Sequence, residues 1–148
     1  LEFHFPVHGA PKLIETAKQF GYLTDLETAP LQLEGMMTGS IDLLCRHQGR
    51  YYVIDYKTNH LGNAPSDYAA EALTASIRHH QYDLQYLLYC VAVKKILALR
   101  QPKVPFEDLF GGVVYLFLRG MTGSPDGGVH FDPVPIALIE ALEAGLNS

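Results

Sequence analysis

The chain has 148 residues, 48% hydrophobic and 18% charged, with a formal net charge of −5. This is the make-up of one compact domain with a proper core rather than of a disordered or disulfide-stapled chain. Cys45 and Cys90 show neither CxxC nor CxxH spacing, which sets aside structural zinc and disulfides and favours a reducing, cytoplasmic setting. The acidic balance offers nucleic acid no broad attraction, and the most apolar stretch, "LLYCVAVKKILAL", is interrupted by Lys94 and Lys95, short of the ~20 apolar residues of a membrane span.

In chain order, residues 1 to 6 predict a strand stopped by Pro6. A strand pattern that begins at Leu1 suggests a piece of a longer protein. Pro11 with "KLIETAKQF" predicts a short helix ended at Gly21, and a loop with Thr24, Asp25 and Pro30 follows. "MMTGSIDLLCR" (36–46) and "RYYVIDYK" (50–57), separated by "HQG", predict a hairpin. After the loop "GNAPSD", residues 68–100 predict helix, with a break near His79, ended by Gln101, Pro102 and Pro105. "GGVVYLFLRG" predicts a central strand. "MTGSPDGG" is a turn, "VHF" a short strand, and Asp132 with Pro133 is expected to cap a last helix reaching Leu146. The order β-α-β-β-α-β-(β)-α gives an α/β fold, a mixed β-sheet flanked by helices.

Charges at the end of the apolar strand 50–57 need a reason. Side chains alternate across a strand, so Asp55 and Lys57 share a face, roughly 7 Å apart along the chain. If the hairpin turns between Gln48 and Gly49, opposed residues have numbers summing to 97 and Asp42 lies across from Asp55, with Cβ atoms about 4.5–5.5 Å apart. A three-residue loop would put Asp42 on the other face. Two opposed carboxylates repel, and a bound cation removes the objection. Two carboxylates and an ammonium on one face suit metal-assisted hydrolysis of a phosphodiester, with Mg²⁺ or Mn²⁺ preferred by hard oxygen ligands.

"G-S-I-D" followed by "V-I-D-Y-K" resembles the Asp…Asp-X-Lys signature of the PD-(D/E)XK nuclease superfamily, and "Q-Y-L-L-Y" resembles the Gln-x-x-x-Tyr motif of its RecB-like branch. With "FGGVVYLFLRG", these blocks are similar to the C-terminal nuclease domain of RecB (beta) subunits of exodeoxyribonuclease V, over nearly the whole chain. The resemblance implies a restriction-endonuclease-like core and a Mg²⁺-dependent exodeoxyribonuclease, with Mn²⁺ or Ca²⁺ able to substitute in binding. It implies DNA as substrate and RecC-like and RecD-like partner subunits. The implied metal ligands are Asp42, Asp55 and the backbone carbonyl of Tyr56. Lys57 is the implied catalytic lysine, and Gln85 and Tyr89, four apart on one helix face, complete the site. The family also has a histidine ligand on an upstream helix; His4 and His8 sit in the wrong context for it, so residues 1–148 read as a single nuclease domain without that helix.

Plainer readings compete. Asp55 and Lys57 can form an edge-strand ion pair of little consequence, and Gln85 and Tyr89 a polar flank of a core helix. Tyr51, Tyr52, Tyr82 and Tyr86 read as packing residues, and Cys45 and Cys90 as core fillers. Arg78, His79 and His80 read as a solvated helix break. The expectation is a metal-dependent DNA nuclease domain of a helicase-nuclease in double-strand-break repair and recombination. The alternative is a nuclease-like docking or DNA-guiding module without catalysis, against which the intact Asp42, Asp55, Lys57, Gln85 and Tyr89 set argues.

Overall fold

The computed structural model describes residues 1–7, 10–26, 35–124 and 127–146; His8, Pro30, Pro125 and Asp126 lie outside the described residues. β1 (Glu2–Val7) and β2 (Gly35–Ser40) pair antiparallel in a ribbon of their own. β3 (Leu43–His47), β4 (Arg50–Lys57), β5 (Phe110–Phe117) and β6 (Val129–Asp132) form a second sheet in that order. β4 and β5 run parallel and the outer pairs antiparallel, which makes the sheet mixed. The helices are α1 (Ala10–Gln19), α2 (Ala70–His79), α3 (Tyr82–Arg100), the single turn α4 (Phe106–Leu109) and α5 (Ile136–Leu146).

The hairpin joining β3 to β4 turns on Gln48 and Gly49, both at positive φ (50° and 80°), the twist that two-residue hairpins require. His47 faces Arg50 and Leu43 faces Ile54, so the register sums to 97. The expected helix 68–100 is two helices. His80 and Gln81 separate them, with Gln81 left-handed (φ 57°), and a short 3-10 turn, Pro65–Tyr68, precedes them.

Two expectations need correction. Residues 36–46 are not one strand: β2 ends at Ser40, the fully buried Ile41 donates its N–H to the Leu1 carbonyl at 2.8 Å, and Leu43 begins β3. Burying Ile41 turns the chain out of one ladder and into the other. Asp132 does not cap α5 either, because Pro133 and Pro135 delay the helix to Ile136, where the Pro135 carbonyl accepts from Leu138 and Ile139. The Asp132 carboxylate instead accepts from the Tyr22 hydroxyl (2.9 Å), the Tyr86 hydroxyl (2.7 Å) and the Val134 N–H (2.9 Å).

The sheet's covered face carries Val53, Val113, Tyr115 and Phe117, all fully buried. With Leu87, Cys90 and Val91 of α3 and Leu138, Ile139 and Leu142 of α5 they belong to the main hydrophobic core, and a fully buried side chain of this kind is worth about 1.5–3 kcal/mol. Lys94 of α3 pairs with Glu143 of α5 at 2.9 Å. The strand that carries Asp55 and Lys57 is thus held between β3 and β5, not at an edge as the plain ion-pair reading had it.

Candidate active site

β4 alternates strictly, so Val53, Asp55 and Lys57 face the covered side. Val53 is fully buried there and Asp55 is 3% exposed. Asp42 sits one residue before the first paired residue of β3, at the position opposite Asp55. Its Oδ2 accepts the Tyr56 N–H at 3.1 Å. Within an extended strand the N–H and C=O of one residue point to the same edge, so the Tyr56 carbonyl also faces the Asp42 side, beyond the last pair of the β3–β4 ladder.

Lys57 Nζ lies 2.8 Å from Asp55 Oδ2 and 3.2 Å from Gln85 Oε1, to which it donates. The ammonium sits over the Tyr82 ring, 4.0 Å from its centroid, a favourable cation–π placement. The ammonium is the counter-ion of the buried Asp55 carboxylate oxygen. Burial pushes the Asp55 carboxyl above the usual carboxylate range; Lys57 acts against that rise and the neighbouring Asp42 carboxylate adds to it.

Gln85 is fixed from both sides. The Tyr115 hydroxyl donates to Gln85 Oε1 at 2.6 Å, and Tyr115 stands beside Asp55 on the adjacent strand. With the amide oxygen turned toward Lys57 and Tyr115, its nitrogen is left for Tyr89, four residues along α3. Burial, then the charges of Asp55 and Asp42, push the Tyr89 hydroxyl up to about 12, while a hydrogen bond with Gln85 opposes the rise. The phenol is therefore protonated at neutral pH.

The structure brings Asp42, Asp55, Tyr56, Lys57, Gln85 and Tyr89 to one place. Sequence reasoning missed Tyr115 and left Tyr82 among the packing residues. Tyr82 lies at i−3 from Gln85, on the same helix face, and that spacing was the available signal. Its hydroxyl accepts from Asn59 Nδ2 at 3.1 Å.

Whether these residues fit a hard cation can be judged from the donors. Asp55 supplies a buried carboxylate, Asp42 a second one beside it, and Tyr56 a carbonyl with no β3 residue paired opposite it. Oxygen donors of this kind suit Mg²⁺, which keeps several of its waters. Among the described residues no three His, Cys, Asp or Glu side chains converge on one point, so the set is two carboxylates and a carbonyl.

Two cavities lie along α3. An open one of about 380 Å³ between the β1–β2 ribbon and α3 is lined by Phe3, Thr38, Gln85 and Tyr89. A more enclosed one of about 180 Å³, lined by Tyr22, Asp83, Tyr86, His130 and Asp132, contains none of the cluster residues.

Residues 8–146 match the family model of the PD-(D/E)XK nuclease superfamily. The chain belongs to this superfamily. It is similar to the RecBCD enzyme subunit RecB of Haemophilus influenzae, 47% identical over 112 residues, 76% of this chain and 9% of that protein. To the RecB subunit of Escherichia coli it is 40% identical over 157 aligned positions, 99% of this chain and 13% of that protein. To that of Mycobacterium tuberculosis it is 44% identical over 119 positions, 74% of this chain and 11% of that protein. The chain thus spans between 9% and 13% of the length of these three relatives. No helix among the described residues is long and apolar enough to cross a membrane.

Proposed function

We propose that this chain is a Mg²⁺-dependent DNA nuclease domain that hydrolyses phosphodiester bonds as part of a RecB-type helicase-nuclease. It would act in the cytoplasm with RecC-like and RecD-like subunits, in double-strand-break repair and recombination. The observation that carries the reading is the Asp55 carboxylate. It is buried, raised in pKa chiefly by that burial, set beside the Asp42 carboxylate and paired with the Lys57 ammonium at 2.8 Å.

Asp42, Asp55 and the Tyr56 carbonyl are the residues that would hold the ion. The ion, when bound, lowers the pKa of its water and offsets charge on the phosphate. Lys57 is aimed by Gln85 Oε1 and by the ring of Tyr82; it orients the attacking water and stabilises the charge that builds up on the phosphoryl oxygens. Tyr115 holds the Gln85 amide oxygen toward Lys57. Tyr89, kept protonated, can donate to a phosphate oxygen but cannot accept the proton of the attacking water. We further propose that a third protein ligand completes the site, since among the described residues only Asp42 and Asp55 bring acidic side chains to it.

Degradation of linear single-stranded DNA in Mg²⁺, compared between this chain and an upstream-extended version, tests the reading. Cleavage by the extended version that EDTA abolishes is the expected result. Metal-independent cleavage, or none from the complete polypeptide, would overturn it.

A further inference from the structure

β4 and β5 run parallel, and the last pair of their ladder is Lys57 with Phe117. The loops that leave the two strands at this end enclose a cavity of about 350 Å³ lined by His60, Asn63, Tyr68, Arg119, Gly120 and Thr122, among others. Beyond the carboxyl ends of adjacent parallel strands is where ligands of open α/β sheets bind. Although the whole chain carries a net charge of −5, among the described residues no acidic side chain lines this cavity.

Arg119 is anchored within it. Its Nε donates to the Thr58 carbonyl at 2.7 Å, and Thr58 follows Lys57 directly in the chain. The bond fixes the guanidinium plane against the backbone of the proposed active site. The two terminal nitrogens have no carboxylate or carbonyl partner among the described residues, and the side chain is exposed. His60 Nε2 lies 3.0 Å from Asn63 Oδ1, so the ring nitrogen donates, and the Asn63 amide hydrogens stay available. Thr122 adds a hydroxyl.

The cavity wall is held rather than loose. The Leu61 N–H donates to the Tyr68 hydroxyl at 3.1 Å and the Gly128 N–H to the Tyr68 carbonyl at 3.2 Å. Asp67 Oδ2 accepts from the Ala64 N–H at 2.9 Å. A side chain at Gly120 would strike Tyr68, and one at Gly62, at φ 158°, would strike Asp67.

A fixed guanidinium with both terminal nitrogens open, beside amide and hydroxyl donors, is matched to a phosphate oxyanion. We propose that Arg119, with Asn63 and Thr122, binds a backbone phosphodiester of the cleaved DNA strand next to the scissile one, so that strand position is set one residue from Lys57. The inference rests on the nuclease reading for the identity of the ligand. Such a contact positions the strand without reading sequence.

The test is binding of single-stranded oligonucleotides to the complete polypeptide in EDTA, using a series in which one linkage at a time is an uncharged methylphosphonate. Wild type should lose about fivefold or more in affinity at one linkage beside the scissile one. Arg119→Met should bind the unmodified strand about tenfold more weakly, lose no more at that linkage, and show a salt slope shallower by about 0.7, the value of one single-strand phosphate contact. Should Arg119→Met fail to fold, Thr122→Val and Asn63→Ala carry the same series, with about twofold losses that vanish at the same linkage. Wild-type affinity and salt slope in Arg119→Met, or losses equal in wild type and variants at every linkage, would overturn the proposal. Because binding is read without divalent metal, failure of Mg²⁺-dependent cleavage would sink the nuclease reading separately.

Discussion

Asp55 and Asp132 lie on strands that flank β5, and each is ringed by tyrosines, yet their oxygens are treated in opposite ways. Both oxygens of Asp132 are engaged, Oδ1 by the Tyr22 hydroxyl and the Val134 N–H, Oδ2 by the Tyr86 hydroxyl. Burial and the Asp132 charge push both phenols far above their ordinary range, so they remain donors. Asp55 has a second carboxylate for a neighbour and the Lys57 ammonium at 2.8 Å from its Oδ2. A satisfied carboxylate ties α3, β6 and the loop after α1 together. Two neighbouring carboxylates beside one ammonium leave an excess of negative charge, which a bound cation offsets.

The sharpest way to break this comparison is to neutralise each acid in turn. Asp55→Asn in the complete polypeptide is expected to abolish Mg²⁺ binding and to lower DNA cleavage by about a thousandfold, the order of several kcal/mol of charge stabilisation. Asp132→Asn should leave cleavage within a few-fold of wild type. Calorimetry and a single-turnover assay read both. Equal losses from the two would erase the distinction.

Stability should respond in the reverse order. Asp132→Ala strips the partner from two tyrosine hydroxyls and one N–H, and at about 1–3 kcal/mol per unsatisfied buried group unfolding in denaturant should show a loss of about 3 kcal/mol or more. Asp55→Asn in EDTA should cost far less.

The pH dependence separates the acids as well. Because burial holds the folded pKa of Asp55 above the ordinary carboxylate value of 3.8, the folded state binds the proton more tightly. The resulting stabilisation is fully present below about 3.8 and is lost as pH rises through the raised folded value. In EDTA, the stability of Asp55→Asn relative to wild type should therefore grow as pH rises through that window, as measured by denaturant titration at several pH values. Mg²⁺ should remove the difference by stabilising wild type alone.

The smallest effect is expected at Tyr82. Tyr82→Phe keeps the ring under Lys57 and loses only the Asn59 contact, so cleavage should stay within about twofold. Tyr82→Leu removes a cation–π contact of about 0.5–1 kcal/mol and should lower cleavage about three- to fivefold.

Much of the cluster was legible because it depends on short-range rules. Period-two alternation put Asp55 and Lys57 on one face, the Gln48–Gly49 turn set the register that brings Asp42 opposite, and i, i+4 spacing aligned Gln85 with Tyr89. Tyr115 was hidden in an apolar run, since its place beside Asp55 depends on a parallel pairing of strands more than fifty residues apart, with an irregularity between Tyr51 and Tyr52. The division of 36–46 into β2 and β3 was hidden for a related reason: Ile41 is apolar like its neighbours, and only the long-range pairing of β1 with β2 gives it a different partner. Asp132 before Pro133 looked like a helix cap because the tyrosines it serves, Tyr22 and Tyr86, are distant in the chain.

The central claim is that the Asp42–Asp55–Lys57 cluster holds a metal and cuts DNA, and Lys57→Ala in the complete polypeptide tests it most directly. Removing the ammonium 2.8 Å from Asp55 takes away a competitor for the carboxylate, so Mg²⁺ should bind at least as tightly by calorimetry. Cleavage at saturating Mg²⁺ should fall by about a hundredfold or more, the loss of one charge stabiliser in the transition state, while ATP-driven unwinding confirms correct assembly. Wild-type cleavage by Lys57→Ala, with unwinding preserved, would contradict the account.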